Sequence, residues 1–334
     1  MSEPLWIRDL EASELLTLEE AIEVLDRTHR EYGEGAATNM VKTQAQTANS
    51  NLHAVGGLLV SAGVAGTKTW IHTPGGAQPL LILFSPADGS VLAIVEAFAL
   101  GQLRTAATSA LATRALSRPD SAALTLVGTG KQAKAQALAV AAVRPIAAIT
   151  VYGRNPERRA TCVEEIQTET SSYVREEPDL GRALAHADVI TVVTRASEPF
   201  IGGDQIPTGA HINGVGAILP GRQELDVSAV DRTDFIAVDS LAQAQASSGE
   251  LRAAAERGLL EWDRVSELGA VLDGSHPGRQ DDAEVTFFKA MGVGIADVAL
   301  GAEVLQRAGD RRVGCSLAEI LTDRTRPAAA SAKS

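Results

Sequence analysis

Hydrophobic positions along the chain follow one rhythm up to about residue 117 and another beyond it. Near the start, Thr17-Leu18-Glu19-Glu20 reads as a capping box, with Thr17 as N-cap and Glu20 able to reach back. Leu18, Ile22 and Leu25 then recur at helical spacing as far as Tyr32, where Gly33 and Gly35 stop the helix. Residues 55–72 are Gly-rich and β-branched, which predicts short strands around a loop at Gly63-Val64-Ala65-Gly66. Two apolar runs, 79–84 and 90–95, flank the turn Ser85-Pro86-Ala87-Asp88-Gly89 and predict a hairpin. A long Ala-rich helix is expected over roughly 100–117.

After Ser117-Arg118-Pro119-Asp120 the pattern alternates between strand and helix. Strands are predicted at 123–127, 148–152, 188–193, 211–215 and 235–238, with an Ala-rich helix over 131–143 and a charged surface helix from Pro156. This succession indicates βαβ units and a parallel sheet. The fold class is therefore α/β. A Rossmann-type doubly wound domain spans 118–294, and an N-terminal α+β domain spans 1–117. The tail 326–334 reads as frayed.

The 334 residues are enough for about two domains. A net charge of −12 and only 4% aromatic residues exclude the basic, base-stacking surface of a nucleic-acid binder. Cys162 and Cys315 cannot make a disulfide framework, so the composition suits the cytoplasm. With no CxxC pair and no HExxH run, no metal is expected. The N-terminal stretch is acidic and broken, unlike a signal peptide, and no apolar run is long enough to span a membrane.

The candidate chemistry starts at Gly128-Thr129-Gly130-Lys131-Gln132-Ala133, which closes one predicted strand and opens a helix. In that setting the GxGxxA spacing is a dinucleotide fingerprint. Gly128 makes the tight turn, Gly130 lets the backbone approach a pyrophosphate, and Ala133 permits close helix–strand packing. The next strand ends in Gly153-Arg154-Asn155, followed by Arg158 and Arg159, where an NAD site usually carries Asp or Glu. A guanidinium there suits a 2′-phosphate, so NADP(H) is favoured and NAD(H) stays possible. Thr194, closing a later strand, falls where ligands gather on such sheets. In the N-terminal half, Lys68 follows a Gly-rich bend inside an apolar stretch, where burial would lower its pKa toward proton transfer. Arg104 stands out in its Ala-rich helix, and it is placed at the start, where a bound carboxylate would also feel the helix N-terminus. Lys42 is a weaker cationic candidate. His53 and His72 could approach the same site, while Trp6, Trp70 and Trp262 read as packing residues.

Several runs resemble the ornithine cyclodeaminase/μ-crystallin family in order over nearly the whole chain. They are Gly66-Thr67-Lys68, Asp88-Gly89-Ser90-Val91-Leu92-Ala93, 101–107 (GQLRTAA), 127–133 (VGTGKQA), 212–217 (INGVGA), 220–226 (PGRQELD) and 288–294 (FKAMGVG). The resemblance implies a homodimer built through the N-terminal domain, with the segment 295–334 returning to that domain. It implies a small amino- or imino-acid substrate, with Arg104 gripping the carboxylate and Lys68 as proton donor or acceptor. Lys42 falls where relatives usually carry a carboxylate-binding Arg. Thr105, Gln132, Met291 and Gly292 fall beside the cofactor. Ile218 stands where cyclodeaminases and related alanine dehydrogenases carry an Asp near the substrate amine.

Arg154 and Ile218 lead to one expectation: an NADPH-dependent imine or ketimine reductase forming an amino acid by hydride transfer. Two other functions fit the same residues. One is an ornithine or lysine cyclodeaminase, or an alanine-dehydrogenase-type enzyme. The other is a non-catalytic NADPH-binding protein of the μ-crystallin type.

Overall fold

The computed structural model describes residues 3–318. Its first sheet gathers β1 (Leu5–Ile7), β2 (Ala37–Asn39), β3 (Thr43–Gln46), β4 (Asn51–Leu59), β5 (Val64–His72), β6 (Leu80–Phe84) and β7 (Val91–Glu96). Strands β4 to β7 run antiparallel in spatial sequence, and β1 closes on β7 in parallel. The hairpin β6–β7 turns at Gly89, with φ of +74°. The reversal between β4 and β5 lies at 60–63, three residues earlier than the glycine pattern suggests. Pairing is unbroken to Leu59↔Val64, so Val64, Ala65 and Gly66 belong to β5, and Gly63 at φ +59° makes the turn.

Helices α1 (Asp9–Glu14), α2 (Leu18–Gly33) and α3 (Phe98–Leu116) belong to this half. The capping box that opens α2 is present: the Glu20 N–H donates to Thr17 Oγ1 at 3.3 Å and the Thr17 N–H to Glu20 Oε2 at 2.9 Å. Helix α3 starts at Phe98, and Arg104 is its seventh residue rather than its first. The helix end is served by Asp9, whose Oδ1 accepts the Ala99 N–H at 2.8 Å. No dipole contribution from that end reaches Arg104, because the effect fades within the first turn.

The second sheet is all parallel. It comprises β8 (Ala123–Val127), β9 (Ala148–Tyr152), β10 (Tyr173–Glu176), β11 (Val189–Val192), β12 (His211–Gly214), β13 (Phe235–Val238), β14 (Val265–Glu267) and β15 (Thr286–Lys289). Their spatial order is β10-β9-β8-β11-β12-β15-β13-β14. The winding direction reverses between β8 and β11, and such a switch point opens a crevice at the strand C-termini. The connecting helices are α4 (Ala133–Val143), α5 (Pro156–Gln167), α6 (Leu180–Leu184), α7 (Val227–Asp231), α8 (Leu241–Ser247), α9 (Gly249–Glu256) and α10 (Leu268–Leu272). The apolar spacing did not predict β10, β14 or β15, which are short or sit in charged surroundings.

The chain then runs into α11 (Gly294–Arg311) and β16 (Cys315–Ser316), which pairs with β1. Helix α11 packs on β4, β5, β6 and α2, so the end of the described chain rests on its beginning. Leu81, Leu83, Val95, Leu100, Val298 and Leu300 are fully buried between sheet and helices. Burying each such side chain contributes roughly 1.5–3 kcal/mol. The opposite face of the first sheet carries Leu58, Leu80, Ile82 and Phe84, all half-buried. Among the described residues, no helix is long and apolar enough to cross a membrane. The frayed tail expected at 326–334 lies outside the described residues.

Candidate active site

Lys68 sits on the helix-covered face of β5 and is buried, at 4% exposure. Gly101 on α3 lies beside it, where a Cβ would sit in ordinary contact at 3.5 Å from Lys68 Nζ. The amine donates to Asp297 Oδ1 at 2.5 Å and lies 5.1 Å from the Trp70 ring centre. Arg104 Nε donates to the same Asp297 oxygen at 3.2 Å. Among the described residues, nothing bonds to Arg104 Nη1 or Nη2, so the outer fork of the guanidinium stays available. Burial lowers the Lys68 pKa to about 8; Asp297 works against this shift and Arg104 adds to it.

Lys42 joins this cationic group from the segment between β2 and β3. Its pKa also falls to about 8, through burial and then through Arg104, with Asp239 opposing. His53 stacks on Trp70 at 4.9 Å between ring centres, and His72 meets both rings edge-on. The His53 pKa falls to about 4, through burial and then Lys42, which leaves a neutral ring at physiological pH.

The other half of the site is the C-terminal edge of the second sheet. Gly128 follows β8 with φ of +120°, and a Cβ on it would lie 2.9 Å from the Val193 carbonyl oxygen across the switch point. A Cβ on Gly130 would meet nothing within 4 Å, so the chain itself does not need glycine there. Lys131 is exposed with its amine over the Phe98 ring, and Gln132 Oε1 is buried without a donor among the described residues. Thr129 lies against Gly153 at the end of β9. Beyond it Arg154 and Arg158 are exposed, while Arg159 is buried, donating to the Gly153 carbonyl and to Glu176. Asn155 accepts the Arg158 N–H at 2.9 Å and so caps α5. Thr105 donates its hydroxyl to the Gly101 carbonyl within α3.

Two acidic residues, Glu224 and Asp239, hold the rest of this edge. Glu224 accepts the Thr194 N–H and hydroxyl at 2.6 and 2.7 Å. Its second oxygen accepts the Gly216 and Ala217 N–H groups at 2.9 and 3.0 Å. Asp239, after β13, accepts the N–H groups of Met291 and Gly292, and Gln243 donates to the carbonyls of both. Gly292 at φ +83° passes the Arg104 guanidinium, where a Cβ would come within 3.0 Å of Nη1. Ile218 is half-buried and offers no proton. Glu224 is committed to four donors and Asp226 caps α7 through Ala229, so neither substitutes for an acid at 218.

Asp297 is the central residue that sequence reasoning missed. The available signal was a single charge inside the apolar run Gly294–Leu300, the same signal that marked Lys68.

Together, a glycine turn at the switch point of a parallel sheet and an amine–guanidinium–carboxylate cluster on a second sheet define a class of two-sheet α/β NAD(P)-dependent oxidoreductases. Residues 8–311 match the sequence profile of the ornithine cyclodeaminase/mu-crystallin family, and the chain belongs to that family. It is 33% identical over 236 residues to the Δ1-pyrroline-2-carboxylate reductase of Bacillus cereus, covering 70% of this chain and 72% of that one. It is 32% identical over 318 residues to the iminosuccinate reductase of Paracoccus denitrificans, covering 92% of this chain and 98% of that one. The Δ1-pyrroline-2-carboxylate reductase of Thermococcus litoralis, solved with NADH and L-proline, superposes with a TM-score of 0.90. Its identity is 27%, over 94% of this chain and all of that one.

Proposed function

We propose that the protein is an NADPH-preferring reductase that converts a small α-imino acid to the amino acid. The observation that carries this reading is the pairing of two cations, the buried Lys68 and the half-buried Arg104, on one buried carboxylate, with the outer fork of Arg104 still open. That fork matches a substrate carboxylate, which takes planar, bidentate donors. Lys68 beside it donates a proton to the imine nitrogen, and Lys42 supplies a further point charge to the carboxylate end. A reduced dinucleotide, when bound, would supply the hydride for the imine carbon, and with the proton from Lys68 that hydride would give the amino acid. Holding the imine between these groups removes most of the entropy cost of the encounter. The apolar Ile218 disfavours cyclodeamination, which needs a base for the ring-closing amine.

The residues present fit the dinucleotide. Gly128 and Gly130 leave the βα turn open, the orphaned Gln132 Oε1 is an acceptor beside it, and Thr194 and Met291–Gly292 stand at neighbouring strand ends. Arg154 and Arg158, exposed and without a side-chain partner among the described residues, favour a 2′-phosphate over a bare ribose. The reading divides the chain into a cofactor half, 118–294, and a substrate half, 1–117 with 295–318. It includes a second copy docked on the uncovered apolar face of the first sheet.

The test is loss of reduced-nicotinamide absorbance with Δ1-pyrroline-2-carboxylate, Δ1-piperideine-2-carboxylate and iminosuccinate. Absence of oxidation with all three, while NADPH still binds, would overturn the reading. Two substitutions sharpen it. Arg154→Ala should raise KM for NADPH about 10–100-fold relative to that for NADH, the worth of one charge-assisted hydrogen bond; an unchanged ratio counts against the 2′-phosphate. Gly130→Ala should leave the melting temperature within about 2 °C, since the added methyl meets nothing in the protein, yet weaken dinucleotide binding at least about tenfold. Titration by quenching of protein fluorescence reads the second effect, and wild-type affinity in that variant would place the pyrophosphate elsewhere.

A further inference from the structure

Asp297 is 1% exposed and lies in the first turn of α11. Its Oδ1 accepts from both Lys68 Nζ and Arg104 Nε, while its Oδ2 is buried with no donor among the described residues. It reaches the two cations from far along the chain, 229 residues beyond Lys68 and 193 beyond Arg104. Asn39 Oδ1 fixes its helix by accepting the N–H groups of Gly294 and Ile295 at 2.9 and 3.2 Å.

We propose that Asp297 is the positioning residue of this site: it holds the Lys68 amine and the Arg104 guanidinium side by side and keeps the amine in its proton-donating form. The proposal rests on Lys68 being the proton donor. In an α-imino acid the C=N carbon is bonded directly to the carboxylate carbon. The group that grips the carboxylate and the group that protonates the nitrogen must therefore be neighbours. Two neighbouring cations repel, and burial of Lys68 further disfavours its charged amine. One shared carboxylate oxygen offsets both effects and fixes the spacing. Because Arg104 answers through Nε, its outer nitrogens are left for the substrate. Oδ2 remains as an acceptor beside the amine, where an unpaired buried oxygen is otherwise costly.

The experiment is a pH–rate profile of imino-acid reduction for the wild type, Asp297→Asn and Lys68→Met, with dinucleotide binding and melting temperature measured alongside. In Asp297→Asn the loss of activity with rising pH should begin about one unit or more lower than in the wild type, because the amine loses its anion. The kcat should fall at least about tenfold, substrate KM should rise, and NADPH should bind as before. A profile within about 0.3 units of wild type would overturn the proposal, whatever the fall in kcat, because a purely structural role would not move it. If Asp297→Asn does not fold, Asp297→Glu serves. A retained anion at a displaced distance should lower kcat while keeping the wild-type profile, and a profile displaced to lower pH would overturn the proposal. Lys68→Met separates the two ideas. If it turns over at the wild-type rate, Lys68 is not the donor and the reading itself fails. If it is inactive while the Asp297→Asn profile stays put, only the role of Asp297 fails.

Discussion

Replacing Lys68 with Met is expected to lower kcat/KM for imino-acid reduction by about 10²–10⁴-fold, the usual range for a positioned acid, while the reduced dinucleotide still binds. The fold should tolerate the change. Met fills the volume beside Gly101, and Asp297 keeps Arg104 as its partner. The wild-type pH dependence has a definite sign. Burial lowers the Lys68 pKa from the usual lysine value to about 8, so the amine is protonated below that pH and bare above it. Reduction consumes that proton and should fall as pH rises through about 8. Oxidation of the amino acid needs the bare amine and should rise through the same range. Lys42 titrates in the same region, and Lys42→Met distinguishes the two: the pH dependence should survive that substitution if Lys68 is the donor. The buried His53, neutral down to about pH 4, cannot be the source of this transition. Full turnover in Lys68→Met would remove the central residue from the mechanism.

The second large effect is expected at a residue that touches neither ligand. Gly294 opens α11 against β4, and a Cβ there would lie 2.2 Å from the Gly56 nitrogen, 2.4 Å from its oxygen and 2.6 Å from its Cα. All three are backbone atoms in the middle of a paired strand, so no side-chain rotation can relieve the clash. The neighbouring contact is equally close, since a Cβ on Gly57 would lie 2.5 Å from Ile295 Cγ2. Gly294→Ala should therefore cost about 3 kcal/mol or more, at the upper end for overpacked sites. That corresponds to a melting temperature roughly 5–10 °C lower. Activity should fall further than stability predicts, because the displaced helix start carries Asp297 away from Lys68 and Arg104. Differential scanning fluorimetry and a single saturating-substrate assay decide it. A variant that melts within about 2 °C of wild type and retains its rate would mean that α11 docks differently from the arrangement described.

The local features were legible because their causes are local. The capping box at Thr17–Glu20, the hairpin across Gly89 and the Gly128–Ala133 turn each depend on residues within a few positions of one another. Lys68 and Arg104 could be singled out because an isolated charge in an apolar stretch is costly unless something answers it. The early reversal at 60–63 was missed because glycine marks where a turn is permitted, and strand pairing decides where it falls. The start of α3 was misplaced for a similar reason: its end is capped by Asp9, a residue outside the helix and distant in sequence.

What the sequence determined by itself was the type of each half: a glycine-turned parallel sheet that takes a dinucleotide, and a smaller mixed sheet carrying unexplained cations. Only the tertiary structure decided what those cations meet. The anion between Lys68 and Arg104 comes from the far end of the chain. It arrives there because two glycine backbones, at 56 and 294, can approach more closely than any side chain would allow. Spacing along a chain records contacts between near neighbours, whereas the meeting of Lys68 with Asp297 is set by the packing of a whole helix on a sheet.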